Sequence, residues 1–357
     1  MKVYIKFIST IFFKSLFFVF LVMASLIFIL NLLTELEFFK DENVTIGFTL
    51  FLSLLNSPAL IFEMFPFIIL VTIQLFFIKI YEYKELEIFK YSGLKNSKIL
   101  IILSSLSIIV GLFLILVFYN LSSNLKNAYL ELKSNYTSDD KYLAVITKNG
   151  LWIKDKIDDK IIITNSVSIS DKYLVKNFIT EFDKNFNILR NIKSDKIDIS
   201  KKKWKIIDAK IYVKNNYTEN KSIYLKTNFD LDRIQKLYSN LSSLNLIQLY
   251  ELRDNYKKLN YSITDLNLHL LKIAAFPIYL LLITIFASMI MFNIKNIKSS
   301  TFKISIGLFF SVIIYYLNNF SYVLGETERI SLIFSVFFPL LILTIINSLM
   351  IYKVNEK

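Results

Sequence analysis

Apolar runs long enough to cross a bilayer recur six times along the chain, at about 14–36, 58–80, 99–119, 273–292, 304–323 and 331–352. A helix needs roughly 20 such residues to cover the hydrocarbon core, and each run is close to that length. No small-residue cleavage site follows the first run, so it reads as a retained helix and not as a signal peptide. Between the third and fourth runs the pattern changes. From 142 to about 226, short β-prone stretches (Tyr142–Thr147, Leu151–Lys154, Lys160–Thr164, Tyr173–Phe182, Trp204–Val213) alternate with turn signals such as Lys148-Asn149-Gly150, Asp158-Asp159 and Asp183-Lys184-Asn185. Many short strands at near-regular spacing predict a sandwich or jelly roll. From 230 to 260 the spacing becomes helical, with Leu231, Ile234, Leu237 and Tyr238 followed by Leu244, Ile247, Leu249 and Leu252. The predicted fold class is membrane α-helical, with six transmembrane helices plus an all-β jelly-roll-like domain. Helices 1–3 fall in residues 1–119, the β domain with its helical return segment in 120–262, and helices 4–6 in 263–357.

Charge orients these elements. Basic residues are in excess at the N-terminus (Lys2, Lys6, Lys14), between runs two and three (five Lys against three Glu), between runs four and five (Lys295, Lys298, Lys303) and in the tail. The intervening loops carry Glu35, Glu37, Lys40, Asp41 and Glu42, and Glu326, Glu328 and Arg329. The alternation predicts cytoplasmic termini and places the β domain outside the cytoplasm. Long loops cross the membrane largely regardless of charge, so the basic content of this one does not conflict.

Composition removes much chemistry. A chain that is 54% hydrophobic with 33 Phe has more apolar surface than a soluble protein of 357 residues hides. The net charge of +13 then speaks of the membrane surface and topology before nucleic acid. There is no Cys, which excludes disulfides, thiolate nucleophiles and thiolate metal sites, and His269 is the one histidine. The six glycines (47, 93, 111, 150, 307, 325) cannot write a P-loop or a dinucleotide fingerprint, so no nucleotide cofactor is bound through either motif.

Several features carry candidate chemistry. Residues 81–93 are short and charged, with apolar Tyr83, Leu86 and Phe89 and a Gly93 suited to the left-handed end of a helix. Such a helix between two spans fits a groove on a cytoplasmic partner, or is a solvated connector. All four prolines, Pro58, Pro66, Pro277 and Pro339, lie in or at spans. They shape a cavity between helices or mark irregularity facing lipid. Lys40, Lys126 and Lys133 stand just beyond the outer leaflet in this topology, either pairing with lipid phosphates or solvated. Glu63 and Lys272 lie near membrane interfaces, where snorkelling relieves the charge. His269 is read as interfacial, and Trp152 and Trp204 as core residues of the β domain.

The assembled pattern resembles the lipopolysaccharide export permeases of the LptF/LptG family, over nearly the whole chain. Three spans, an outer β domain and three more spans is that family's order. Glu85-Leu86 followed by Lys90 and Gly93 matches its pattern between spans two and three. Pro58 and Pro66, eight residues apart, then Lys272 with Pro277, Gly307, Tyr315, Leu324-Gly325 and Pro339 match in order. Gly150-Leu151-Trp152-Ile153-Lys154-Asp155 looks like the opening of the outer domain in the LptG branch, and Trp204 like a tryptophan late in that domain. The departures are Val71, Thr72 and Ile73, bulkier than the small residues often found there, and Asn31, where some members carry lysine.

The resemblance implies a transport subunit of an ABC-type exporter, with ATP hydrolysis by a separate partner. It implies a heterodimer with an LptF-like permease, an LptB-like ATPase dimer docked on Glu85, Leu86, Phe89 and Gly93, and an LptC-like single-span protein. It also implies an inner-membrane location, lipopolysaccharide as the cargo and a periplasmic β domain; Lys126 and Lys133 match the family's basic residues after span three only loosely, and Lys40, Lys126 and Lys133 are the lipid-binding candidates by their place in the topology. Two other classes fit less of the chain. A receptor with an extracytoplasmic β domain predicts a cytoplasmic signalling domain, and none follows residue 352. Another lipid or lipoprotein exporter permease usually carries its large domain between spans one and two.

Overall fold

The computed structural model describes residues 3–40, 44–82, 95–134, 136, 143–147, 150–157, 160–170, 172–213, 216–231, 234, 240–258, 262–294, 297 and 299–355. The chain divides into two compact units, Met1–Tyr129 with Asn267–Lys357, and Leu130–Leu266.

The first unit is helical. Its elements are α1 (Val3–Phe38), α2 (Ile46–Glu82), α3 (Asn96–Phe113), α6 (Thr264–Asn293), α7 (Ser300–Glu326) and α8 (Leu332–Asn355). A π-helical turn, Leu114–Tyr119, leads from α3 directly into α4 (Asn120–Ser134). Six helices are therefore long and apolar enough to cross a membrane, as the hydrophobic runs predict. α2 and α6 are the most buried, whereas α1, α7 and α8 leave most of their surface uncovered within this chain. Pro277 is buried against Gly111 of the third span. A Cβ on Gly111 would come within 2.9 Å of the Pro277 Cα, so this proline lies in a helix contact.

Helix α1 continues well past its apolar run. Its buried stripe, Ile8, Phe12, Ser15, Val19, Ile27, Asn31 and Glu35, keeps steps of three, four and, across the half-buried Met23, eight residues into the charged end. Glu35 and Glu37, counted as loop by their charge, are thus helical, and Glu35 is only 1% exposed.

Among the described residues the second unit holds seven antiparallel strands: β1 (Leu143–Thr147), β2 (Gly150–Ile157), β3 (Lys160–Ser170), β4 (Tyr173–Phe182), β5 (Ile188–Asp198), β6 (Lys203–Val213) and β7 (Asn216–Lys226). They pair in chain order, so the all-β domain is a meander with hairpin connections between neighbours. A short 3-10 turn (Leu241–Ser243) and α5 (Leu246–Lys258) form the return segment. The core is the inner face of the sheet, with Leu151, Ile153, Leu174, Ile179, Ile192, Ile197 and Trp204, closed by Phe229 and Ile234. Trp204 is buried and its indole N–H donates to the Phe229 carbonyl at 2.8 Å. Trp152, expected in the core, is instead exposed, because the inward positions of β2 are its neighbours Leu151 and Ile153.

A crease crosses this sheet from β3 to the edge strand β7, whose ladder with β6 skips Asp208 and Lys221. The inward residues step by three at the same level in four of these strands: Ser166 to Ile169 on β3, Leu174 to Asn177 on β4, Ser194 to Ile197 on β5 and Ile206 to Ala209 on β6. The ladders skip there too, between Ser166↔Asn177 and Ser168↔Val175, and between Lys193↔Lys210 and Lys196↔Ile207. Lys176 and Asp208, on β4 and β6, take positive φ (53° and 50°) at the interruption, and the register is the same on both sides of it. Buried side chains cover the interruption. The Ser166 hydroxyl donates to Asn177 Oδ1 (2.6 Å), and Asn177 Nδ2 donates to the Leu174 carbonyl (2.9 Å). The Ser194 hydroxyl is shared between the carbonyls of Lys196 (2.9 Å) and Ile207 (2.5 Å) and accepts from the Lys196 N–H.

Candidate functional site

Glu85, Leu86, Phe89 and Gly93, the residues singled out for docking an ATPase, lie outside the described residues. The structure describes the chain that enters this segment, α2 to Glu82, and the chain that leaves it, from Lys95.

The three lysines expected near lipid phosphate occupy different settings. Lys40 is exposed in the turn that ends α1, and Lys133 is half-buried near the end of α4. Lys126, half-buried on α4, is part of a larger charged group. Glu63 on α2 lies within Coulomb range of both Lys126 and Lys272, the latter on α6. The Lys272 ammonium sits 4.8 Å from the centre of the Tyr322 ring on α7. Beside it, His269 Nε2 and the Tyr119 hydroxyl are hydrogen-bonded at 3.0 Å. Three helices, α2, α4 and α6, thus bring two ammonium groups, one carboxylate and one imidazole together in the bundle. With the imidazole neutral, the group carries one net positive charge and suits an anionic headgroup more than a cation. Read one at a time, Glu63, His269 and Lys272 are ordinary interfacial residues; only the packing of α2, α4 and α6 unites them. Among the described residues, no cluster of three or more potential metal ligands occurs.

Near the C-terminal end of α1, sequence reasoning missed a second polar group. The Tyr129 hydroxyl on α4 donates to Glu35 Oε1 at 2.7 Å. Asn31, one turn earlier, donates to the Ser53 carbonyl at 3.1 Å and accepts from Asn56 Nδ2 at 2.9 Å. Asn31, the departure from a lysine found in some similar proteins, therefore joins α1 to α2. The i, i+4 spacing of Asn31 and Glu35, in phase with the buried stripe of α1, was the signal available in the sequence.

In the β unit, the Gly150–Asp155 stretch has a structural logic of its own. Gly150 has φ +116°, and a Cβ there would overlap the Ser166 carbonyl oxygen, so only glycine fits without strain. Asp155 is buried and accepts from the Thr227 hydroxyl (2.8 Å), the Asn228 N–H (2.9 Å) and Asn228 Nδ2 (2.9 Å). It pins the segment after β7 beneath the sheet and sets Phe229 against Trp204.

The family model for the lipopolysaccharide export system permeases LptF/LptG matches residues 6–353, which takes in all six membrane helices and the β unit. The match covers both branches without separating LptF from LptG. No curated protein matches the chain.

Proposed function

The chain belongs to the LptF/LptG family of lipopolysaccharide export permeases, and from that premise we propose that it is the LptG-type subunit of an ATP-driven exporter. The observation that carries this reading is the family match from residue 6 to residue 353, spanning membrane helices and β unit together. The LptG assignment rests on Gly150–Asp155 and Trp204, which resemble that branch. An LptF-like permease covers the apolar surfaces that α1 and α7 leave open, an LptB-like ATPase dimer binds the segment around Glu85, and an LptC-like single-span protein joins the outer side. The termini are cytoplasmic and the β unit is periplasmic, in line with the basic excess on alternate loops. The helical bundle takes lipopolysaccharide from the inner membrane, Lys40, Lys126 and Lys133 meet its phosphates, and the β unit carries it onward. The neighbouring Glu63, Lys272 and His269 tune the charge that Lys126 presents.

Docking of the ATPase on Glu85, Leu86, Phe89 and Gly93 is the step most open to test. A carboxylate on a docked helix accepts charge-assisted hydrogen bonds, and removing it leaves a partner cation unpaired, at about 2–5 kcal/mol if buried. Glu82 lies about 60° away around a helix and shares no such contact. In complexes purified in mild detergent, Glu85→Ala is expected to lose ATPase association or to uncouple hydrolysis from lipid release. Glu82→Ala is expected to do neither, and both variants should retain the second permease. Equal, mild effects from the two substitutions would reduce the segment to a connector.

A further inference from the structure

Helix α2 runs without a break from the bundle core to Glu82, the last described residue before the segment that carries Glu85. What holds this end of α2 is unusual for a membrane helix. Gln74 is 0% exposed, and its Nε2 donates to the Lys303 carbonyl on α7 at 2.8 Å. The acceptor is a backbone carbonyl, so the amide nitrogen must face it. Gln74 Oε1 is buried with no hydrogen-bond partner. One turn beyond Lys303, Gly307 makes room for the amide, because a Cβ at 307 would overlap it.

Two further contacts lie towards the end of α2. The buried Lys303 side chain places its ammonium 4.7 Å from the centre of the Tyr81 ring. The Tyr81 hydroxyl donates to the Met291 carbonyl at the end of α6 at 2.9 Å. Phe77, one turn earlier on α2, packs edge-on against Phe292 of α6. Between apolar helices in a bilayer there is little hydrophobic drive to choose one neighbour over another, and interhelical hydrogen bonds and small residues fix the pairing. A leucine at 74 would bury as well and leave no unpaired oxygen. The glutamine thus selects one partner helix at the expense of one unsatisfied acceptor.

We infer that Gln74 is a positioning residue that, with Gly307 and the Lys303–Tyr81 pair, fastens α7 to α2 so that the two helices move as one body. On the proposed function, on which the transport half of this inference rests, motion imposed by an ATPase at residues 83–94 then reaches the fifth span through α2 directly. A merely well-packed pair of helices would not seat a buried amide against a glycine; the other polar contacts of the pair, Lys303–Tyr81 and a 3.4 Å bond from the Ser300 hydroxyl to Glu82, lie nearer the exposed end.

The chain has no cysteine, so paired labels are introduced without a background. Glu82→Cys and Val312→Cys, both at exposed positions, carry spin labels for distance measurement in the complete transporter reconstituted with its ATPase. Val312 lies twelve residues beyond Ser300, roughly 18 Å along α7. Otherwise native protein should give one narrow α2–α7 distance, the same with and without trapped nucleotide. Gln74→Ala should replace it with a broad distribution. In unlabelled protein the same substitution should preserve ATP hydrolysis while less lipopolysaccharide is released per ATP. Gly307→Ala should reproduce both effects by displacing the amide. Because the two act on one contact, Gln74→Ala with Gly307→Ala should be no worse than Gln74→Ala alone. The inference is overturned if Gln74→Ala leaves the distance narrow, or if the α2–α7 distance of otherwise native protein itself changes with nucleotide. A complex that releases no lipid, yet loses its narrow distance on Gln74→Ala, would uphold the fastening and refute the exporter reading.

Discussion

The two units of this protein bury polar groups by opposite rules. In the β unit the buried acid and amides are saturated: Asp155 accepts three hydrogen bonds, and the Ser166–Asn177–Ser194 row closes on itself and on the backbone. Glu181, also buried, is bonded by Arg190 on the next strand. Among the described residues, the buried side-chain atoms without a hydrogen-bond partner are Gln74 Oε1, Asn96 Oδ1, Ser104 Oγ and Asn347 Oδ1, all in the helical unit. A sheet opened at a crease has backbone groups that must be met by side chains, and every such side chain is committed. A helix satisfies its own backbone, so its polar side chains are free to choose between neighbouring helices. The β unit is built for one arrangement, whereas the helical unit keeps acceptors that another arrangement can use.

Substitutions that remove a committed group test that contrast most severely. Asp155→Ala removes the carboxylate that accepts from the Thr227 hydroxyl, the Asn228 N–H and Asn228 Nδ2 beneath the sheet. The expected loss is about 3 kcal/mol, since each buried unsatisfied group costs about 1–3 kcal/mol. Hydrogen exchange on the intact protein should show deprotection centred on β2, β6 and residues 227–229, with the membrane helices unaffected. Protection that stays at the native level would mean that Asp155 is not committed as described. A matched pair of serine deletions is gentler. Ser194→Ala, at the crease, should lower the thermal stability of the β unit by about 1–2 kcal/mol, because the Lys196 and Ile207 groups lose their partner. Ser104→Ala, whose hydroxyl meets no acceptor, should lie within about 0.5 kcal/mol of the native protein. Equal losses would erase the distinction between the units.

The smallest effect concerns the β4–β5 hairpin. Asp183 accepts from Asn187 Nδ2 (2.9 Å), the Asn187 N–H (2.8 Å) and the Asn185 N–H (2.9 Å). The Asn187 side chain first, and then these backbone donors, hold its carboxyl below the ordinary value of 3.8. A depressed folded pKa contributes stability above that ordinary value, and the contribution fades as the pH falls through the folded one. Amide protection at Asn185 and Asn187, corrected for intrinsic exchange, should therefore fall at strongly acidic pH. In Asp183→Ala it should be low at every pH. Equal acid sensitivity in the variant would assign the change to another group.

How much of this was legible beforehand depended on whether charge and burial agreed. The six spans were, because their apolar runs match the bilayer, and Tyr173–Phe182 was read to its ends because Leu174, Ile179 and turn residues frame it. β5 and β7 were not. Ile188–Asp198 carries Lys193, Asp195 and Lys196 on its outer positions and the charged Arg190 on its inner face, and Asn216–Lys226 is polar along almost its whole length, exposing nearly every side chain. Edge and outward positions impose no hydrophobic pattern, so propensity had nothing to detect. Glu35 failed in the other direction, since a charge at the end of an apolar run reads as a loop until Tyr129 arrives from α4. The Glu63–Lys126–Lys272 group required the tertiary arrangement of three helices, which no spacing within one helix encodes.

The crease has a topological consequence of its own. A line along which each strand gains one residue behaves as a dislocation does in a crystal lattice: it cannot stop in the interior and ends only at a boundary. Deleting Lys176 alone would put β4 out of phase with both β3 and β5 and turn part of its inward face outward. The strands can lose the defect only together. A single-residue deletion at one strand is therefore rescued only by matching deletions at the same level of its neighbours, so Val167, Lys176, Asp195, Asp208 and Lys221 form one unit of insertion and deletion though they stand far apart in the chain.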